Sequence, residues 1–110
     1  MINWPAFIKY AEDDELAYIA GEEQWLQDTA LHDFDYTPDD CLIDSDGQVF
    51  SLQFFSEGKV MPQATGDVKS LEFVLGLIKA HAAEKGSCCV AKLYAPSYAE
   101  ALVILQSFAD

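Results

Sequence analysis

The residues best suited to chemistry lie between His32 and Gln48, HDFDYTPDDCLIDSDGQ, where six aspartates occur in seventeen residues without a lysine or arginine. Crowded carboxylates attract hard cations, so a calcium loop is the first chemistry to test. Such a loop needs oxygen ligands at positions 1, 3 and 5, glycine at 6 and a bidentate acid at 12. Placing Gly47 at position 6 sets Asp44 and Asp46 at 3 and 5, but puts Leu42 at 1 and Gln53 at 12. Starting instead at Asp33 puts Pro38 where the glycine belongs. Both registers fail. A looser acidic group of Asp33, Asp35, Asp39 and Asp40 stays a candidate for a cation or small ligand. Against it stands the ordinary use of aspartate in turns, where the carboxylate accepts backbone amides.

Nucleophilic and metal chemistry find less support. Cys41 follows two aspartates, and negative neighbours disfavour a thiolate. His32 closes the first expected helix, where a cation complements the dipole. With Cys41 and a nearby aspartate it makes a nominal Cys/His/Asp trio that nothing in the spacing supports. Cys88 and Cys89 are adjacent; on a strand they point to opposite faces and cannot share one tetrahedral metal site. A buried apolar role is expected for them. His81 falls among apolar helix positions and reads as packed or at a rim. Glycine-rich phosphate loops, Walker lysines, HExxH and GxSxG are absent. The expectation is a protein that is not an enzyme and uses no cofactor or metal.

Charge narrows the partners. Fourteen acids, from Glu12 to Glu57, lie in the first 58 residues against Lys9 alone, while residues 59–110 hold five lysines and five acids. The net charge of -13 therefore belongs to the N-terminal half. Nucleic acid as a direct ligand is disfavoured, because phosphate binding needs a basic face. Anionic membrane surfaces are disfavoured for the same reason. A basic protein partner remains, and the plain alternative is that surplus acid maintains solubility. The leading expectation is a non-enzymatic acidic interaction module whose contact loop is Asp33, Phe34, Asp35, Tyr36, Asp39 and Asp40. Phe34 and Tyr36 would either anchor that loop to the core or offer an aromatic contact surface. The alternative is a cation- or small-ligand-binding domain using the Asp33–Asp46 region.

The chain of 110 residues, 51% hydrophobic and 13% aromatic, suits one domain with a true core. Three cysteines make no even disulfide framework, and the N-terminus shows no signal-peptide pattern. No apolar run approaches the roughly 20 residues that span a bilayer. A reduced, cytoplasmic setting is expected.

These residues must be positioned by the elements between them. Ala6–Ala11 and Leu16–Ala20 read as strands joined by the charged turn EDDE, followed by a helix over GEEQWLQDTALHD with Trp25, Leu26, Thr29 and Ala30 facing a core. CLID, Asp46-Gly47 and QVFSLQFF form a hairpin pattern. Val49, Leu52 and Phe54 break its alternation, which predicts a bulge or a strand buried on both faces. SEGK turns the chain back through Val60–Met61. The spacing predicts a helix over Thr65–Lys85, capped by Thr65 or Asp67 and stopped by Gly86, with Leu71, Val74, Leu75, Ile78 and Ala82 on one face. Phe73 and Leu77 lie off that stripe and call for a second cover, either the last helix or a homodimer partner. CCVAKLY reads as an interior strand, and Ser97–Glu100 as a capping box opening a helix that buries Leu102, Leu105 and Phe108. The expected fold is α+β, a mostly antiparallel mixed sheet of about five strands covered by three helices, in the order β-β-α-β-β-α-β-α. One parallel pairing is allowed.

With these elements placed, WPAFIKY, DELAYI and DDCLIDSDGQVFSL together resemble a small uncharacterised gammaproteobacterial family known only as a domain of unknown function. The resemblance extends over the whole chain. It implies a bacterial α+β domain and brings no catalytic motif to these residues.

Overall fold

A computed structural model describes residues 2–86 and 92–108. Strands β1 (Ala6–Lys9) and β2 (Leu16–Ile19) form the first hairpin. Two short helices follow, α1 (Glu22–Gln27) and α2 (Thr29–Asp33), before a second hairpin of β3 (Cys41–Asp44) and β4 (Gln48–Ser51). The small ribbon of β5 (Phe55–Ser56) and β6 (Lys59–Val60) leads to β7 (Gln63–Val68) and the helices α3 (Leu71–Glu84) and α4 (Tyr98–Ser107). The main sheet runs β2-β1-β3-β4-β7, and every described pairing in it is antiparallel. No parallel pair occurs among the described residues.

Both faces of this sheet are covered, and the strands alternate between them as the pleat requires. Phe7, Ile43 and Val49 pack with Val74, Ile78, Leu102 and Leu105 of α3 and α4. Their neighbours Ala6, Ile8, Leu42 and Phe50 pack on the opposite side with Trp25, Tyr36, Leu52 and Val60. Two-sided burial explains why AFI and CLI are unbroken apolar runs. Each fully buried large side chain contributes about 1.5–3 kcal/mol, so a one-residue slip of β3 on β1 would exchange two complete packing sets.

The α+β class and the five-stranded sheet stand as expected, but several elements differ. Residues 65–68 are not the start of a helix; they end β7. Ser70 caps α3 instead, its Oγ accepting from the Phe73 amide at 3.1 Å. All six β7 residues are exposed, so this edge strand is held by backbone pairing to β4 and carries no hydrophobic period. The expected first helix divides at Asp28, whose backbone is extended (φ -84°, ψ 97°) and whose carboxylate accepts from the Ala30 amide at 3.1 Å. That break turns Thr29 and Ala30 outward and leaves Leu26 44% exposed, so only Trp25 of the four expected core positions is buried.

QVFSLQFF likewise stops pairing at Ser51, and Phe55 begins the separate ribbon, turned by Glu57 (φ 53°) and Gly58 (φ 80°). The broken alternation has both predicted causes: the β4–β7 register shifts between Gln48 and Phe50, and Val49 and Phe50 are buried on opposite faces. On α3, Leu77 packs against the α4 side of the core, while Phe73 stays 45% exposed with the Lys69 ammonium 4.9 Å above its ring. Residues 88–91 of the expected CCVAKLY strand, including Cys88 and Cys89, lie outside the described residues, and Lys92–Tyr94 are not in a strand. Ser97 caps α4 as expected, its Oγ accepting from the Glu100 amide at 3.2 Å. The Glu100 carboxylate meets the Ser97 hydroxyl at 3.5 Å and not its backbone amide, so among the described contacts only the serine half of the expected box is made. No helix among the described residues is long and apolar enough to cross a membrane.

Candidate functional site

The aspartate-rich stretch places its carboxylates in two different settings. Asp44 ends β3 and is 1% exposed. Its Oδ1 accepts from the amides of Asp46 and Gln48, both at 2.9 Å; its Oδ2 accepts from the Asn3 amide and Gln48 Nε2, also at 2.9 Å. Four donors satisfy a buried carboxylate, and none of its lone pairs faces an open site. Asn3 Nδ2 also donates to Asp46, and Ser45 Oγ donates to the Pro5 carbonyl at 2.7 Å. Gly47 (φ 77°) completes the turn, its carbonyl accepting from the Lys69 amide at 2.8 Å. A Cβ there would lie 2.3 Å from the Lys69 carbonyl oxygen. Asp44 and Asp46 therefore build the hairpin, as the Asp-Gly signal implied.

At the other end, Asp40 ties two loops together. Its Oδ2 accepts from the Thr37 amide at 2.7 Å and the Thr37 hydroxyl at 3.1 Å, and its Oδ1 accepts from Ala11 N at 2.7 Å. Burial works against this carboxylate's ionisation, but the donated hydrogen bonds from Thr37 and Ala11, with Lys9 nearby, hold its pKa below the ordinary value. Across from it, Lys9 Nζ folds back onto the β1–β2 turn, donating to the carbonyls of Tyr10 (2.7 Å) and Asp13 (2.6 Å). The turn and the α2–β3 loop are thus fixed side by side.

Between them runs an open groove of about 830 Å³. Glu12 and Asp13 line it from the turn, and Asp35, Asp39 and Asp40 from the loop, around Tyr10 and Phe34. The aromatic rings form one cluster: Phe34 lies 5.2 Å from Tyr10 and 4.8 Å from Tyr36, centroid to centroid, and Tyr10 stacks with Tyr36 at 6.5 Å. Tyr36 is the anchor, buried, with its hydroxyl donating to the Leu31 carbonyl at 2.8 Å. Burial, then Tyr10 and Asp40, push its phenol pKa upward. Tyr10 is pushed the same way, by burial first and then by Asp40, Glu15 and Asp13. Phe34 is the displayed ring, 48% exposed. A second cleft of about 370 Å³ lies beyond it, lined by Asp33, Tyr36, Leu52, Phe55 and Val60, with Phe34 and Asp35 shared between the two hollows.

All six residues expected from the sequence thus fall in one region: Phe34, Asp35, Asp39 and Asp40 on the groove, Asp33 and Tyr36 on the adjoining cleft. Sequence reasoning missed Tyr10, Glu12 and Asp13. For Glu12 and Asp13 the signal is the EDDE run, which by itself reads only as a turn; nothing local shows that β1 brings it and Tyr10 beside residues 35–40.

The Cys/His/Asp trio does not assemble. His32 Nε2 lies 2.7 Å from the Trp25 carbonyl, and its Nδ1 accepts from the Val60 amide at 2.9 Å. Both nitrogens are used, and the ring carries its proton on Nε2 toward the carbonyl. His32 is therefore a buried brace between α1 and β6, not a cation displayed at a helix end. Cys41 packs against the opposite, α3–α4 side of the sheet. Burial first, with Asp40 adding to it against Lys69 and Lys9, raises its thiol pKa, the opposite of an activated nucleophile. Among the described residues, no three histidine, cysteine or carboxylate side chains converge in a way that would hold a metal ion.

Residues 4–105 match the family DUF4144, described as a protein structure with unknown function. No curated protein matches the sequence. Among solved structures, the chain is similar to the NMR structure of a protein from Shewanella amazonensis, with 26% identity and a TM-score of 0.69 over 100% of this chain and 92% of that one.

Proposed function

The chain belongs to the DUF4144 family, and from its surface we propose that it is a non-enzymatic interaction module whose acidic groove engages a basic segment of a partner protein. The observation that carries this reading is the joining of two acidic segments, Glu12–Asp13 and Asp35–Asp40, along one groove beside the half-exposed ring of Phe34. The nearby ammonium of Lys9 is turned onto backbone carbonyls, and the lining carboxylates of Glu12, Asp13, Asp35, Asp39 and Asp40 outnumber it, so the rim is net negative. A lysine or arginine chain has complementary features, a cation for the carboxylates and, for arginine, a planar group that stacks on aromatic faces. Convergent metal-ligand geometry is absent among the described residues, so a cation has less support than a basic peptide.

The test is titration of a lysine- and arginine-rich peptide followed by backbone NMR. Shifts should concentrate at residues 10–13 and 34–40, and affinity should fall as salt rises, because exposed charges are screened beyond about 10 Å at 0.1 M ionic strength. Affinity mass spectrometry at low and high salt should then recover partners in a salt-dependent way. Shifts elsewhere, or equal recovery at both salt concentrations, would rule this reading out.

A further inference from the structure

The other buried histidine has a different set of partners. His81, in the last turn of α3, is 2% exposed. Its Nδ1 lies 2.9 Å from the amide nitrogen of Leu16, the first residue of β2. A backbone amide can only donate, so Nδ1 must present its lone pair and the ring proton must sit on Nε2. That Nε2 is buried and has no hydrogen-bond partner. The ring of Phe108, beyond α4, meets the imidazole edge-on at 6.4 Å and supplies no acceptor. One turn further along α3, Lys85 pairs with Glu15 at 2.8 Å on the surface. The end of α3 thus meets the start of β2 through a buried bond and an exposed ion pair, beside the packing of Leu16 against Leu75 and Ile78 in the core. Among the described residues β2 pairs with β1 alone.

We propose that His81 is an acid-sensitive latch: a proton taken up at Nδ1 breaks the bond to the Leu16 amide and frees the start of β2, with its acidic turn, from α3. The neutral ring accepts one bond and tolerates an idle N–H. The protonated ring has a donor at both nitrogens, so Nδ1–H would face Leu16 N–H, donor against donor, with a buried charge between them. The charged groups around the ring divide. Lys85, on its own helix, opposes protonation; Glu15 and Asp13, from the β1–β2 turn, favour it; Phe108 brings only hydrocarbon. Burial is the largest influence and, with Lys85, holds the His81 pKa below its ordinary 6.5. The unfolded chain therefore takes up this proton first as pH falls below about 6.5. The latch is fully closed above that value and weakens toward the lower folded pKa.

Amide hydrogen exchange by NMR between pH 7.5 and pH 5, expressed as protection factors to remove the intrinsic pH dependence of exchange, tests this directly. The ring protons of His81 report its titration in the same samples. The Leu16 amide should lose at least about tenfold protection as His81 titrates, while amides of the β1–β3 ladder keep theirs. His81→Gln, which presents a non-titrating acceptor, should hold the Leu16 protection factor constant over the same range. The latch is overturned if Leu16 stays protected through the His81 titration, if it opens only together with the whole sheet, or if H81Q shows the same pH response. Should H81Q fail to fold, the contrast between Leu16 and the ladder in the unaltered protein still decides.

Discussion

Asp44 and Asp39 sit five positions apart in one acidic stretch, and the fold uses them in opposite ways. Asp44 is enclosed and accepts four hydrogen bonds that hold the N-terminus, β3 and the hairpin turn together. Asp39 is exposed on the groove rim. Asp40, between them in character, is buried against two loops and gives the rim its shape. Carboxylate density alone therefore says little about binding. What separates a structural acid from a displayed one is whether backbone donors converge on it.

The sharpest way to break this contrast is Asp44→Ala. It leaves four donors without their acceptor, and an unsatisfied buried donor costs about 1–3 kcal/mol. With partial hydration of the turn, urea denaturation should show a loss of about 3–4 kcal/mol. A loss under about 1 kcal/mol would mean the hairpin does not depend on this hub.

Gly47→Ala probes the same end without touching a carboxylate. The left-handed backbone and the 2.3 Å approach to the Lys69 carbonyl should together cost about 2–3 kcal/mol. Thermal denaturation reads it, and a wild-type midpoint would contradict the close contact.

Asp40→Ala tests the intermediate case. Losing its hydrogen bonds should cost about 1–2 kcal/mol at neutral pH. Because the folded pKa is depressed, this contribution is fully present above the ordinary value of 3.8 and disappears as pH falls through the folded pKa. The stability difference between wild type and D40A should therefore shrink below pH 3.8, a convergence visible in pH-dependent unfolding.

Asp35→Ala and Asp39→Ala complete the series. Neither carboxylate accepts a hydrogen bond among the described contacts, so stability should change by no more than about 0.5 kcal/mol. On the proposed function, each variant should weaken the basic peptide and flatten its salt dependence, read by the same NMR titration. Unchanged affinity in the double variant would detach the groove from the proposed partner.

Much of the fold was legible because short-range chemistry imposed it. The apolar strand runs, the Asp46-Gly47 turn, the Ser97 cap and the Leu71–Ala82 face each carry their own signal. Residues 63–68 carried none: an exposed edge strand has no side to bury, and Thr65 and Asp67 resemble helix caps when read alone. Asp28 was equally opaque, because helical periodicity continues across it and only the local bond to Ala30 breaks the helix. His32 read as a helix-end cation, since its partners depend on α1 and on β6, 28 residues downstream.

By itself, the sequence determined the α+β class, the negative N-terminal half and the acidic–aromatic loop from Asp33 to Asp40, all properties of residue type and near-neighbour spacing. Only the tertiary structure decided which acids are enclosed and which displayed, and that the Glu12–Asp13 turn completes the groove. The physical reason is distance along the chain. Asp40 reaches Ala11 across 29 positions and Asp44 reaches Asn3 across 41, and such meetings arise from strand pairing and sheet order, which no local pattern encodes.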